Sequence, residues 1–423
     1  MKKKIKKLLL SSVLIILISI ISLNLIDKNN LLSSKEYLKR KLDPRIFAIL
    51  QLIGDIDRSS KKLNNDYNTT FLPLTQFINL DFTKINFEKY FENNNIAGYA
   101  KHLRIKVRQV FYIDNYFEKI IFLTSDGKLF FNDYEKIING NKLIEINNNL
   151  KLITSLDLLI DNNNFYISGV EKENNCAYLV LYKANFETLY DNLKFKNIFK
   201  SKECMEMIQS GRLAISNNKL YLATAANILN KKNEMDDKPQ NDSSIYGKIL
   251  EFDLNNNNYR IFSKGHRNIL GLYIDENVIL STENGPRGGD EINKIEYGKN
   301  YGWPIVSYGQ KYNNNEFYPN SHSEYGFEEP IYAFVPSVGI SQIEKISGTF
   351  SSKWEDNFLV SSLNGNHIYR IKFDNNFQKV FFIEKIFIGE RMRDLLYLEN
   401  KNVFLIALEN SGSLGILSPQ VVK

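Results

Sequence analysis

Arginine, acid and glycine cluster in a few short stretches of this chain. The first runs Gly265-His266-Arg267-Asn268. It is followed by Glu283-Asn284-Gly285-Pro286-Arg287-Gly288-Gly289-Asp290-Glu291 and then by Asn300-Tyr301-Gly302-Trp303-Pro304. A later stretch reads Glu390-Arg391-Met392-Arg393-Asp394. A guanidinium is a planar fork that pairs carboxylates bidentately, so these arginines suit an anionic ligand. Residues two apart on a strand point the same way, which lets Arg391 and Arg393 line one face. Gly288 and Gly289 permit a tight turn, and a tight turn next to Asp290 and Glu291 offers the oxygen ligands a hard cation needs. Each stretch also has a plain reading: a solvated strand edge for Arg-x-Arg, and a glycine-rich connection for the acidic loop.

The elements that must position these residues are strands. A turn rich in Asn, Asp or Gly followed by a β-branched or aromatic run recurs six times. It begins at Asp126-Gly127, Asn163-Asn164, Asn217-Asn218, Glu276-Asn277, Asp356-Asn357 and Lys401-Asn402. Each is the signature of a turn leading into a buried strand. Six recurrences at irregular spacing predict an all-β, six-bladed β-propeller with insertions between strands; two stacked β-sandwiches are the alternative. Aromatic residues at 13% suit the faces where blades pack, and 43% hydrophobic residues suffice for the core. The expected organisation is an N-terminal hydrophobic helix (signal anchor or signal peptide) over residues 1–26, a linker over 27–60 and the propeller over 61–423. The linker carries a short helix from Lys35 to Ile53. The polar segment from Lys231 to Ser244 reads as an excursion loop.

In order and spacing, the stretch from Gly265 to Tyr308 resembles the soluble quinoprotein aldose dehydrogenases, the glucose/sorbosone dehydrogenase family. The resemblance implies a six-bladed propeller that holds pyrroloquinoline quinone (PQQ) and calcium at one end of its channel. It implies that Arg267 and Asn268 polarise the quinone, that Arg391 and Arg393 grip cofactor carboxylates, and that Ser337 belongs to the pocket. The carbonyls of Gly285 and Pro286 would hold the cofactor's calcium, and Glu291 with the backbone of Tyr301 a further calcium. Trp303, Pro304 and His266 are expected to be structural, and His102, His322 and His367 fall in no family motif.

The same resemblance shows what is missing. Gln209-Ser210-Gly211-Arg212-Leu213 matches the string that follows the family's catalytic histidine, yet that position is Ile208 and its neighbour is Met207. Neither side chain can accept a proton. The family's Gly-Asp pair reads Ala225-Ala226, its fifth-blade cation reads Asn364, and an aromatic before Pro336 reads Val335. An early Gln-x-Gly-Leu-Leu-Gly motif is absent from the first 130 residues. Two functions follow: an oxidoreductase acting on an aldose or related alcohol and passing electrons to an acceptor, or a non-catalytic propeller that binds a saccharide or an envelope partner.

Lys2, Lys3, Lys4, Lys6 and Lys7 precede an apolar run from Leu8 to Ile26. That length approaches the ~20 residues a membrane-crossing helix needs, and the positive flank directs the remainder outward. Anchored to the membrane or secreted, the body of the chain is expected in an extracytoplasmic (periplasmic) space. These lysines supply five of the six net positive charges. The nearly neutral remainder gives no electrostatic case for nucleic acid. Cys176 and Cys204 could form a disulfide in that compartment or remain as two buried thiols.

Overall fold

The computed structural model describes residues 78–91, 109–185, 192–226, 237–276, 278–311 and 316–420. The N-terminal apolar run and the helix expected over Lys35–Ile53 lie outside the described residues. No helix among the described residues is long and apolar enough to cross a bilayer.

Among the described residues, twenty-four strands form six four-stranded antiparallel sheets, the six-bladed propeller expected from the repeats. Blade I holds β2 (Phe111–Tyr116), β3 (Lys119–Thr124), β4 (Leu129–Asp133) and β5 (Ile144–Ile146). Blade II holds β6 (Thr154–Asp161), β7 (Asn164–Glu173), β8 (Cys176–Asn185) and β9 (Lys196–Lys200). Blade III holds β10 (Leu213–Ser216), β11 (Lys219–Ala223), β12 (Lys248–Asp253) and β13 (Tyr259–Lys264). Blade IV holds β14 (Ile269–Ile274), β15 (Ile279–Glu283), β16 (Asp290–Lys294) and β17 (Tyr332–Phe334). Blade V holds β18 (Ile340–Lys345), β19 (Phe358–Ser362), β20 (His367–Phe373) and β21 (Val380–Phe387). Blade VI is closed from both ends of the described chain: β22 (Met392–Leu398), β23 (Val403–Leu408) and β24 (Ser413–Pro419) are completed by β1 (Leu80–Asn86). β1 lies antiparallel to β24 from Leu80↔Pro419 to Asn86↔Ser413.

Five of the six sequence repeats fall on the second strand of a blade, β7, β11, β15, β19 and β23. The sixth, at Asp126-Gly127, falls on β4, the third strand of blade I. The hairpin turns explain the offset. Asn162, Asn217, Asn218, Asp356 and Asn402 adopt positive φ of 49° to 58°, where Asn and Asp are tolerated. In blade I that place is taken by Phe117 at φ 51°, so the turn carries no Asn or Gly to mark it.

Strands with apolar residues on both faces pack blade against blade. Along β3, Ile120 and Phe122 join a cluster with Leu405 and Leu414 of blade VI. Their neighbours Ile121 and Leu123 join one with Phe165 and Ile167 of blade II. Four more clusters continue round the ring, between blades II and III, III and IV, IV and V, and V and VI. Period-two alternation thus gives each central strand two partners.

The six first strands surround the axis, and one side chain there joins most of them. Arg212, 2% exposed, enters from the start of blade III. Its NH1 pairs with Asp157 and Asp394, each at 2.8 Å. Nε donates to Leu270 O at 2.6 Å and NH2 to Arg393 O at 2.8 Å. The guanidinium carbon lies 5.1 Å from the ring centroid of Tyr112. Both carboxylates are fully used, since Asp157 also accepts Leu213 N–H and Asp394 accepts Ile113 N–H.

Cys176 and Cys204 form a disulfide with Cα atoms 5.0 Å apart, so neither is a free thiol. Beside it Ala177 and Met205 exchange two backbone hydrogen bonds, which strap residues 201–205 along β8. Cys204 is exposed and the strap leads directly to Ile208.

Two expected outcomes follow from the axis. Arg212→Met leaves two carboxylates buried without a cation, and breaking a buried pair from one side costs about 3–5 kcal/mol. Urea melts should show that loss. Asp114 and Glu344 also line the channel, and burial, reinforced by neighbouring carboxylates, raises each to about 8. The native chain therefore keeps protons that the unfolded chain releases, and stability falls as pH rises from the ordinary carboxyl range to about 8. Glu344→Gln should match the parent near pH 5 and melt higher than the parent at pH 9. Equal melting temperatures at pH 9 would contradict this assignment.

Candidate functional site

Antiparallel blades place two kinds of connection at the same end of the axis: the segment entering each first strand and the turn between second and third strands. Most stretches singled out in the sequence use one of them, while Asn300–Pro304 lies in the long connection between β16 and β17. Ile208 precedes β10, Arg267 and Asn268 precede β14, Ser337 precedes β18, and Arg391 precedes β22. Ala225-Ala226 follows β11, Gly285-Pro286 follows β15, Asn364 follows β19 and Glu409 follows β23. Glu291 and Arg393 lie one residue inside β16 and β22.

Blade IV carries the larger group. Arg267, Glu283, Gly285, Gly289, Glu291, Tyr301, Trp303, Val306 and Ser307 enclose a small cavity. Glu283 and Glu291 face each other across β15 and β16. Glu283 accepts the backbone N–H of Arg267 and contacts His266 Nδ1 at 3.1 Å. Arg267 is 3% exposed and donates from NH1 to Asn284 O. Asn268 is 8% exposed, and its side-chain oxygen has no hydrogen-bond donor among the described residues. The loop owes its shape to glycine: a Cβ on Gly285 would lie 2.1 Å from Gly289 O. Asp290 ties this loop to blade V, accepting Gly285 N–H on one oxygen and the N–H groups of Val338, Gly339 and Ile340 on the other. Burial pushes its carboxyl up while Ser337 and these donors pull it back.

The second group lies between blades V and VI. Arg391 and Arg393 do converge, but on a protein carboxylate: Glu409, fully buried, accepts from Arg391 Nε at 2.9 Å and Arg393 Nε at 2.5 Å. Arg391 NH1 also reaches Leu363 O at 3.1 Å and Asn364 Oδ1. Glu409 therefore offsets one charge of the arginine pair. Its pKa is held low, with burial opposed and outweighed by the two arginines. Nothing beside Arg-x-Arg in the sequence pointed to Glu409, an acid at a strand end.

His322, outside every motif, belongs to the first group. It is 1% exposed, with Nε2 3.5 Å from Glu291 and Nδ1 3.6 Å from Glu329, and its ring stacks on Tyr308 at 5.3 Å. Burial lowers the imidazole's pKa, but Glu291, Glu329 and Glu283 outweigh it and the net shift is upward. His266 is structural as expected, fully buried between Ser263 at 2.8 Å and Glu283.

Could these residues hold calcium and PQQ? Among the described residues no three His, Cys, Asp or Glu side chains form a metal-ligand set, so a cation here depends on carbonyls. The carbonyls of Gly285 and Pro286 accept no hydrogen bond among the described residues, and Glu283 and Glu291 add carboxylate oxygen. That donor set fits a hard cation. Arg267, Arg391 and Arg393 fit an anionic ligand, and the spare oxygen of Asn268 would accept from a donor on it. Position 208 itself offers no proton acceptor. Ile208 is 5% exposed and packs with Leu156, Leu179, Met205 and Leu213 in the core between blades II and III, while Met207 is exposed.

The family model described as Glucose / Sorbosone dehydrogenase matches residues 156–416, more than half of the chain. The aldose sugar dehydrogenase YliI of Escherichia coli K12 is 30% identical over 166 residues, 38% of this chain and 44% of that protein. The quinoprotein glucose dehydrogenase B of Acinetobacter calcoaceticus is 26% identical over 208 residues, 36% of this chain and 43% of that protein. The chain thus spans less than half the length of these curated relatives. A solved glucose dehydrogenase superposes with a TM-score of 0.64 at 21% identity, covering 74% of this chain and 96% of the other, which shows a shared fold. With its fold, the single-ended cluster and the family match in agreement, this chain belongs to the glucose/sorbosone dehydrogenase family.

Proposed function

We propose that the chain is an extracytoplasmic oxidoreductase that binds PQQ with calcium and oxidises an aldose or related alcohol slowly or with altered specificity. The observation that carries this reading is convergence. Arg267, Asn268, the Gly285-Pro286 loop, Ser337 and Arg391 lie on connections of three blades that share one end of the axis, with Arg393 one residue inside β22. In this reading Arg391 and Arg393 bind cofactor carboxylates, Glu409 holds them in place, and Arg267 with Asn268 orients and polarises the quinone end. Gly285 and Pro286 carbonyls hold the cofactor's calcium, and Glu291 with the Tyr301 carbonyl a further one. Bound PQQ supplies the quinone that accepts two electrons from the substrate. An electron acceptor then completes turnover.

The Cys176–Cys204 disulfide supports an oxidising compartment, in keeping with the basic and apolar N-terminus. We assign residues 1–26 to a membrane anchor or signal, 27–60 to a linker and 61–423 to the propeller domain.

A second reading rests on Ile208. Its side chain belongs to an apolar cluster, and neither it nor its neighbour Met207 can accept a proton. Losing a general base lowers rate by about 10²–10⁴. The propeller would then act as a binding module for a saccharide or an envelope partner.

Titration of the chain with PQQ in calcium, then in chelator, separates the readings. Tight one-to-one binding that chelator abolishes is expected. Arg391→Gln should weaken it about tenfold or more, as expected for a charge-assisted bond. Lack of binding at high micromolar PQQ would overturn the quinone site. Binding without dye reduction across a broad panel of sugars and alcohols would leave the binding module.

A further inference from the structure

The end of the excursion loop between β11 and β12 is tied down at both sides. Lys248, fully buried at the start of β12, donates from Nζ to Lys238 O at 2.7 Å, Pro239 O at 2.9 Å and Tyr246 O at 3.2 Å. Pro239 O also accepts the N–H of Gly265 at 3.1 Å. Gln240 therefore sits on a backbone fixed to blade III and to the residue that opens the site stretch. Its amide closes a reciprocal pair with Asn300. Gln240 Nε2 donates to Asn300 Oδ1 at 3.2 Å, and Asn300 Nδ2 donates to Gln240 Oε1 at 2.8 Å. Gln240 Nε2 also donates to Trp303 O at 2.7 Å. Gly265, at φ +79°, makes room for the pair, because a Cβ there would fall 2.1 Å from Asn300 Oδ1.

Asn300 Oδ1 accepts a second bond, from the N–H of Gly302 at 3.1 Å. That N–H belongs to the peptide unit whose carbonyl is Tyr301 O, and this peptide is trans. In a trans peptide N–H and C=O point opposite ways, so fixing one aims the other. The neighbouring carbonyls are all engaged. Asn300 O accepts Glu328 N–H at 2.9 Å, Gly302 O accepts Ile305 and Val306 N–H at 2.7 and 3.1 Å, and Trp303 O accepts Gln240. Tyr301 O accepts no hydrogen bond among the described residues. Tyr301 is buried and lines the same cavity as Glu291. A buried carbonyl without a donor, sharing a cavity with a carboxylate, offers oxygen to a hard cation.

We propose that Gln240 is a positioning residue for a cation at this site: through Asn300 it aims the Tyr301 carbonyl, so calcium affinity at Glu291 depends on an amide in the excursion loop. This gives a role to a segment whose sequence reads only as a polar loop. It rests on the reading of a further calcium at Glu291 and the Tyr301 carbonyl.

Terbium, a hard cation whose luminescence is sensitised by nearby tyrosine and tryptophan, tests it on the full chain without PQQ, with calcium as competitor. Binding that is lost in Glu291→Gln marks the site. Gln240→Met keeps the length of the side chain but not its amide, and should weaken that binding about tenfold. Asn300→Leu should weaken it by a similar factor, and the double variant should lose no more than either. Asn300→Asp keeps the acceptor for Gly302 N–H and should bind within about threefold of the parent or tighter. Equal affinity of Gln240→Met and the parent, or losses that multiply in the double variant, would overturn the proposal. A second readout needs no cation. Hydrogen exchange of the Gly302 amide should quicken about tenfold or more in Gln240→Met and Asn300→Leu but not in Asn300→Asp. Unchanged exchange in Gln240→Met would overturn the proposal while leaving the further calcium in place. If the parent binds terbium no better than Glu291→Gln, the further-calcium reading fails and the proposal falls with it.

Discussion

A single guanidinium on the propeller axis sets the geometry that everything else uses. Arg212 joins Asp157 of blade II, Leu270 O of blade IV and both Asp394 and Arg393 O of blade VI, over the ring of Tyr112 in blade I. A ring of sheets held only by apolar faces can slide, because hydrophobic burial is non-directional. Charge-assisted bonds with fixed directions remove that freedom. The surrounding carboxylates make the arrangement intolerant of losing this cation, since an ion left alone in a low dielectric is costly. Arg393, gripped through its carbonyl by Arg212, presents its own side chain to Glu409 at the candidate site. Axis and site are thus joined through one residue.

The site itself is organised by buried acids more than by its arginines. Asp290 fastens the Gly285 loop to the entry of blade V, Glu283 sets His266 and the Arg267 backbone, and Glu409 holds Arg391 beside Arg393. Each carboxylate is satisfied by several donors, the condition under which a buried charge is tolerated. The result is a preformed set of donors and carbonyls, while Ile208 lies in an apolar cluster. Ile208 did not leave a vacant place where a base once stood. It joined the hydrophobic cluster between blades II and III, held close to β8 by the disulfide strap. That is why cofactor binding and catalysis are separable questions for this chain.

Much of this was legible from residue order. The six turn-and-strand repeats gave the blade number because hairpins between twisted strands favour positive φ, and Asn or Asp marks such turns. The one displaced repeat arose at Phe117, an unusual residue for that conformation, and no local pattern could have revealed it. The strings around Arg267, Gly285 and Arg391 were visible because they match the family's residue types at the family's offsets. The family match and the absence of a proton acceptor at position 208 required nothing beyond the sequence.

What the sequence could not carry was pairing between residues distant along the chain. Glu409 meeting Arg391 and Arg393, His322 resting on Glu291, Cys204 reaching Cys176 and Trp303 lying beneath Arg267 all depend on which loops share one end of a closed ring. Local chemistry specifies what a side chain can do, and periodicity specifies the face it takes. Partner choice follows from how the strands fold into blades and the blades into a ring, which brings even Arg212 and Asp394, 182 residues apart, within 2.8 Å. The sequence alone thus determined an all-β propeller with a quinoprotein-like cradle and no histidine base. Tertiary structure alone decided that Arg391 and Arg393 are partly neutralised by Glu409, and that Ile208 is part of the core.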